Sequence, residues 1–341
     1  MAGICLVLAL GGCGKTAEKT QKAMELIQAL DYQGALTELE AAEEEGENLR
    51  LINRARGIAY MGLTDYKQAV SCFEEAISGS NGLVQNVDFD LNYYLAAVYT
   101  KNGQYTEAES VYDAILALRP QEEEVFFLRG NVRMVLGNFT GAKEDFDKVV
   151  EMAPENYDWL VEIYEVLAYF GYQEEGKSYL RVALNNNAQK MSKAVSGRIY
   201  FYLGEYQNAC LELEDAKADG SVESYLYLGK AYEATGDYNY AANVYNSYLK
   251  QYEGDAQMYN QLGLCELTKG EYQKALEAFQ AGLQLENTAL QQTLAFNEIV
   301  AYEYLGEYGQ AKSLLESYLR NYPDDEQAGR EYMFLSTRSE N

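Results

Sequence analysis

The segments Asp31-Tyr32-Gln33-Gly34-Ala35, Asp65-Tyr66-Lys67-Gln68-Ala69, Gly103-Gln104-Tyr105-Thr106-Glu107-Ala108 and Gly137-Asn138-Phe139-Thr140-Gly141-Ala142 are variants of one beat, Gly-x-Tyr-x-x-Ala. Five more follow: Gly171 to Gly176, Gly204 to Ala209, Gly236 to Ala241, Gly270 to Ala275 and Gly306 to Ala311. The small residues that end the beats, Ala35, Ala69, Ala108, Ala142, Gly176, Ala209, Ala241, Ala275 and Ala311, lie 34, 39, 34, 34, 33, 32, 34 and 36 residues apart. A period near 34 is that of a helix-turn-helix repeat. No such unit buries its faces alone, so the units must stack, and 341 residues make one continuous core rather than two globular domains.

Composition agrees with an all-α chain. There are only 3 prolines and no extended Val/Ile/Thr alternation, while Ala, Leu, Glu, Lys and Gln abound. The 32 tyrosines fall mostly at the repeat turns or beside them, where a ring can be half buried with its hydroxyl in water.

The net charge of −26 arises from 53 acidic and 27 basic residues, none of them in residues 1–12. Binding to phosphate backbones depends on Lys and Arg, so this surface argues against DNA or RNA as partner. It also argues against peripheral binding to anionic lipid without an anchor. Acidity of this size keeps a long, Tyr-rich array soluble, and it can also steer a basic partner.

Histidine is absent, which removes the commonest general base and metal ligand and every Ser-His or Cys-His dyad. Carboxylates are plentiful in runs such as Glu43-Glu44-Glu45 and Glu122-Glu123-Glu124. Glycosidase chemistry needs two carboxyls across a cleft, not adjacent on a helix surface. The run after Pro120 is expected to open a helix, where acidic side chains complement the N-terminal dipole. No enzymatic site, metal site or cofactor is therefore expected.

The N-terminus carries two overlapping patterns. Ile4-Cys5-Leu6-Val7-Leu8-Ala9-Leu10 is a short apolar run, too short to span a bilayer as a helix, followed by Gly11-Gly12-Cys13. This resembles the lipobox of bacterial lipoproteins, which implies cleavage before Cys13 and a diacylglyceryl thioether on its sulfur. It departs from that pattern in having no Lys or Arg ahead of the apolar run. The overlapping string Ala9-Leu10-Gly11-Gly12-Cys13-Gly14-Lys15-Thr16 resembles a Walker A loop, with Lys15 for the terminal phosphates and Thr16 for magnesium. Ala9 replaces its first glycine, and repeat helices from about residue 17 leave no parallel sheet behind it. The lipobox reading fits the context better. Cys5 falls in the signal, and Cys72, Cys210 and Cys265 sit singly in three repeats, as buried free thiols rather than a disulfide or metal set.

The array resembles the tetratricopeptide repeat family over about residues 16–325. In the second repeat the family's small, aromatic and turn positions fall on Gly57, Tyr60, Tyr66, Ala69, Phe73 and Ala76. In the eighth they fall on Gly263, Tyr272, Ala275, Phe279 and Gly282, with Glu266 where the first-helix aromatic would be. Pro120, Pro154 and Pro323 all occupy the repeat-ending proline. The resemblance implies a right-handed α-solenoid of about nine repeats whose first helices line a concave groove.

The expected organisation is a signal peptide at 1–12, a solenoid over 13–325 and a capping helix and tail at 326–341. The fifth repeat diverges, with Tyr164 for the small first-helix residue and Gly176 for the alanine, and is expected to mark a change of curvature. An insertion near Gly82 to Asn86 leads into Asn86-Val87-Asp88-Phe89-Asp90-Leu91-Asn92, which hints at a calcium loop but lacks its central Gly and closing Glu. Helix capping by Asp88 or Asp90 is the expected reading.

Ligands of this family lie along the concave groove. The register places Arg54, Tyr93, Phe127, Asn131, Tyr169, Arg198, Phe201, Tyr202, Lys230, Asn260, Phe296 and Tyr304 there. No ordered Lys and Asn set for clamping a C-terminal carboxylate is evident. The aromatics suit an extended peptide or a partner helix. The expectation is a non-enzymatic scaffold, lipid-anchored through Cys13 on the outer side of a bacterial cytoplasmic membrane, that binds protein or peptide segments. A nucleotide-binding protein using residues 9–16 and a cytosolic repeat adaptor are the alternatives.

Overall fold

The computed structural model describes residues 17–80, 82–187, 191–252, 254–285 and 288–338. They form nineteen α-helices and one 3-10 turn, with no strand among the described residues. The chain divides into two compact units, Met1–Gly171 and Tyr172–Asn341. Cys13, the apolar run at 1–12 and the Walker-like string at 9–16 lie outside the described residues.

The first unit holds α1 (Glu18–Gln28), α2 (Tyr32–Glu44), α3 (Leu49–Gly62), α4 (Tyr66–Ser78), α5 (Asn86–Lys101), α6 (Tyr105–Leu118), α7 (Glu123–Val135), α8 (Phe139–Met152) and α9 (Tyr157–Tyr169). The second holds α10 (Gln173–Asn187), α11 (Lys193–Leu203), α12 (Tyr206–Ala216), the 3-10 turn Lys217–Asp219, α13 (Val222–Ala234) and α14 (Tyr238–Gln251). It continues with α15 (Ala256–Thr268), α16 (Tyr272–Leu283), α17 (Gln291–Tyr304), α18 (Tyr308–Asn321) and α19 (Glu326–Ser336). Within each unit every helix packs on the one before and after it, the nearest-neighbour plan of a repeat array.

Sequence sets the helix ends. Asp31 and Asp65 cap α2 and α4 by accepting from the backbone N–H three residues on, and Asn138 does so for α8. Pro120, Pro154 and Pro323 each lie two residues beyond the end of α6, α8 or α18, as expected of residues that cannot continue a helix. The turn before each second helix needs a left-handed residue. Glycine supplies it seven times, from Gly103 to Gly306, whereas Leu30 (φ 62°) and Thr64 (φ 59°) take it in the first two repeats.

The second-helix alanines, Ala35, Ala69, Ala108, Ala142, Ala209, Ala241, Ala275 and Ala311, are all fully buried. One turn later Phe73, Phe146, Tyr245 and Phe279 are equally buried, each against a first-helix glycine of its own hairpin. The Cβ that Gly57 lacks would lie 2.6 Å from the Phe73 ring. Small residues therefore let the two helices of a hairpin close onto a ring. In the divergent fifth repeat Tyr164 is still buried, and the unit boundary falls at its turn, between Gly171 and Tyr172.

The insertion between the second and third repeats is the segment between α4 and α5. Asp88 accepts from the Gln85 backbone N–H at 2.7 Å, the capping reading, and also pairs with Arg50. Asp90 pairs with Arg54. These carboxylates cap and brace the helix rather than face a shared ion. Among the described residues no group of three His, Cys, Asp or Glu side chains could hold a metal.

The segment after the last repeat is α19, started by the Asp325 side chain accepting from the Ala328 N–H at 3.0 Å. Ala328 and Leu335 are buried with Ile299, Leu315 and Tyr318, so α19 covers the apolar face of the final hairpin. Cys72 and Cys265 are buried free thiols and Cys210 is a half-buried one. Burial pushes Cys72 up to about 11 and Cys265 up to about 12, so neither is a ready thiolate.

Candidate functional site

First helices crowd one side of each unit: α1 meets α3, α3 meets α5, α11 meets α13 and α13 meets α15. Residues one and two turns along these helices share the exposed side of that row. The twelve expected groove residues divide between the two units, and the structure gives them distinct surroundings.

In the first unit Arg54 is spoken for. Its guanidinium pairs with Asp90 one repeat on and sits 5.4 Å over the Tyr94 ring, with both charged side chains largely buried. Tyr93 is half buried and donates its hydroxyl to Glu122 at 3.5 Å. Burial, then the charges of Glu122 and Glu124, push its phenol upward. Phe127 is 8% exposed and packs 4.8 Å from Trp159 and 6.0 Å from Phe146, so it is a core ring rather than an open contact. Asn131 carries a buried Oδ1 with no hydrogen-bond partner among the described residues. Tyr169, at the last residue of α9, is 85% exposed with its ring edge-on to Phe170.

In the second unit the structure brings four of the residues together. Phe201 lies edge-on to Tyr202 at 5.7 Å and to Tyr227 at 5.3 Å. The hydroxyls of Tyr202 and Tyr227 are 2.6 Å apart. Lys230 holds its ammonium 5.5 Å from the Tyr227 ring centroid, a cation–π contact. Arg198, a turn before Phe201, pairs with Glu223 at the start of the next first helix. The three rings and Lys230 are half buried, Arg198 is largely buried and Glu223 is exposed, so α11 and α13 present one amphipathic aromatic patch with cations at its margin.

Three residues lie further along this unit. Asn260 is buried, and its Oδ1 accepts from Asn297 at 2.8 Å. Phe296 packs against Tyr318 at 5.7 Å, beside α19. Tyr304 is exposed and stacked on Tyr272 at 5.0 Å.

Sequence reasoning missed Tyr227, the ring that joins Phe201, Tyr202 and Lys230. It also missed the acidic partners Asp90 and Glu223. A signal was present: each arginine has a carboxylate near the start of the following first helix, 36 and 25 residues on.

Family models described as tetratricopeptide repeat match residues 54–123 and 226–289, 123–156, and 296–325. Together they cover more than half of the chain, and they include the four hairpins whose glycine–ring packing is described above. The chain belongs to the tetratricopeptide repeat family. As a tetratricopeptide repeat array it is similar in fold to a crystallised tetratricopeptide repeat protein of Parabacteroides merdae, with TM-score 0.50 and 17% identity over 84% of this chain and 99% of that one. Its curated relatives include RNA polymerase II-associated protein 3 of Xenopus tropicalis, 23% identical over 66% of this chain and 32% of that protein. Tetratricopeptide repeat protein 21B of Xenopus laevis is 22% identical over 60% of this chain and 16% of that protein. The chain spans about a third or less of the length of these curated relatives.

Proposed function

We propose that this tetratricopeptide repeat protein is a non-enzymatic scaffold that holds peptide or protein segments on its first-helix face. The observation that carries the reading is the patch of Phe201, Tyr202, Tyr227 and Lys230 on α11 and α13. Half-exposed rings with hydroxyls and a cation at their edge are the surface that anchors a partner side chain and orients its backbone. The scaffold is tethered by a lipid on Cys13 to the outer side of a bacterial cytoplasmic membrane; the apolar run and small residues before that cysteine support the tether.

We infer that the captured segments are basic. The groove arginines Arg54 and Arg198 are already neutralised within the chain. Glu124 on α7 and Glu162 on α9 reach the surface with part of their hydration shell displaced, and that partial desolvation, then neighbouring carboxylates, raises both above the ordinary glutamate value. A lysine or arginine docking there would relieve that repulsion, and the net charge of −26 would speed its arrival.

The test is a photocrosslinking residue placed at Tyr202 in the full chain, with Tyr227→Ala as the comparison. Discrete adducts that vanish in the variant support capture at the patch, and a chain that crosslinks nothing there overturns it. Metabolic labelling with a clickable fatty acid, in wild type and Cys13→Ala, tests the tether separately. Label retained by the variant, or absent from both, removes it.

A further inference from the structure

Tyr202 of α11 and Tyr227 of α13 meet hydroxyl to hydroxyl. Their oxygens are 2.6 Å apart while their ring centroids are 5.6 Å apart, so the rings converge at their hydroxyl ends. The ring carbons beside each hydroxyl lie on those converging edges. Phe201 packs edge-on to both rings, at 5.7 and 5.3 Å, and the Lys230 ammonium lies 5.5 Å from the Tyr227 centroid, so the pair is held in place. Both tyrosines are only half buried, within reach of water and small solutes.

Other close tyrosines are arranged differently. Tyr225 and Tyr248 are 5.3 Å apart but only 5% and 6% exposed. Tyr232 stacks on Tyr240 at 5.5 Å, and its hydroxyl donates to Glu214 at 2.9 Å rather than to a second phenol. Tyr272 and Tyr304 stack at 5.0 Å with planes 21° apart, ring face on ring face.

We propose that Tyr202 and Tyr227 are an oxidative crosslinking site, joined by a carbon–carbon bond when a peroxidase with hydrogen peroxide acts on the folded chain as a one-electron oxidant. Each phenol gives up one electron and its hydroxyl proton and becomes a phenoxyl radical. In the pair, the first proton passes to the partner hydroxyl, which releases its own to water. The unpaired electron spreads over the oxygen and the ring carbons ortho and para to it. The para carbon already carries Cβ, so the ortho carbon is the free position. The two unpaired electrons form a bond between the ortho carbons; each of these then loses its hydrogen as a proton, and each oxygen takes a proton up, restoring both hydroxyls. In sum two hydrogen atoms leave the protein and one hydrogen peroxide is reduced to two waters. Holding the reacting edges side by side favours this coupling over encounter with a tyrosine of another molecule.

The product staples α11 to α13, first helices of adjacent repeats that are packed together, and the loop it closes removes freedom from the unfolded chain. The reaction needs no bound partner, so its outcome is separate from that of peptide capture.

The test treats the full chain, at low protein concentration, with a haem peroxidase and limiting hydrogen peroxide. Monomer is isolated, its dityrosine fluorescence is read, and its peptides are mapped by mass spectrometry. The expected product is a monomer lighter by two hydrogens whose principal crosslinked peptide joins Tyr202 to Tyr227. Tyr202→Phe and, independently, Tyr227→Phe keep the ring and remove a reacting phenol, and each is expected to abolish that peptide; either folded variant suffices if the other is lost. Linkage mainly at Tyr272 and Tyr304, linkage only between molecules, or oxidation without dityrosine overturns the site. In the crosslinked monomer, amide exchange of α11 and α13 is expected to slow by about tenfold or more while α17 keeps its rate. Unchanged exchange there overturns the staple.

Discussion

Gly229 of α13 and Tyr245 of α14 compete for one space in the core. A Cβ on Gly229 would lie 2.1 Å from the Tyr245 ring, closer than real side chains come. The same sixteen-residue offset recurs at Gly57 and Phe73, Gly130 and Phe146, and Gly263 and Phe279, with 2.6, 2.6 and 2.3 Å. A leucine can stand in the place of the ring, with Ile299 and Leu315 in one buried cluster and Ala23 and Leu39 in another, and it can still press on a glycine: a Cβ on Gly197 would lie 2.4 Å from Leu213. The offset thus marks where the two helices of a hairpin approach most closely.

Gly57→Ala is expected to destabilise the protein by about 1–3 kcal/mol through overpacking against Phe73. Adding Phe73→Leu to it recreates the Ala23 and Leu39 arrangement. The double variant should be clearly less destabilised than the sum of the two single ones, by about 1 kcal/mol or more in denaturant titration. Strict additivity would show that the ring and the glycine do not share the space.

Thr64→Gly is expected to stabilise. Thr64 is β-branched and held at φ 59° in a turn where seven other repeats have glycine. Relief of the left-handed strain, less the added freedom of the unfolded chain, leaves a net gain of about 0.5–1 kcal/mol. Thermal unfolding of Thr64→Gly and Leu30→Gly should show raised midpoints for both.

Arg54→Ala should harm stability rather than ligand capture. It strands the largely buried Asp90 carboxylate, at a cost of about 1–3 kcal/mol, discounted from the fully buried case for residual solvent access. Replacing Asp90 by Asn in the same chain removes the stranded charge and should recover part of that loss. A groove ligand identified at the Phe201 patch should bind both variants unchanged.

Glu47 predicts an acid-labile N-terminal helix. Its buried carboxylate accepts from the backbone N–H groups of Lys19 and Thr20 at 2.9 and 3.0 Å and from the Thr20 hydroxyl at 2.6 Å. Burial pushes its pKa up, but these donors outweigh burial and hold it below the ordinary glutamate value of 4.5. The stability it confers is therefore complete above that value and is lost as pH falls through the lower folded value. Glu47→Ala should cost about 1 kcal/mol at neutral pH, as loss of a cap does, and progressively less below about pH 4. Exchange of the α1 amides checks both limbs.

The groove was less legible in the sequence than the fold. Register put Phe127 and Asn260 on the ligand-facing side, yet Phe127 packs on Trp159 and Asn260 is buried against Asn297. It counted Arg54 as a contact, but a strut to the next repeat neutralises it. Each departure comes from the neighbouring repeat, whose side chains occupy space or satisfy charge that a single-repeat pattern leaves open.

What the sequence determined is the hairpin. Spacing of the small residues, the capping Asp and Asn, and prolines two residues past helix ends all act over one or two turns of backbone, so they can be read without knowing what lies opposite. α19 was legible for the same reason, from Asp325 and the apolar run after it. What only the tertiary structure decided is how repeats answer each other: Arg54 with Asp90, and Tyr202 with Tyr227. These contacts join residues 25 to 36 positions apart on different hairpins. Their energies depend on burial and distance, which stacking creates and which no local pattern encodes.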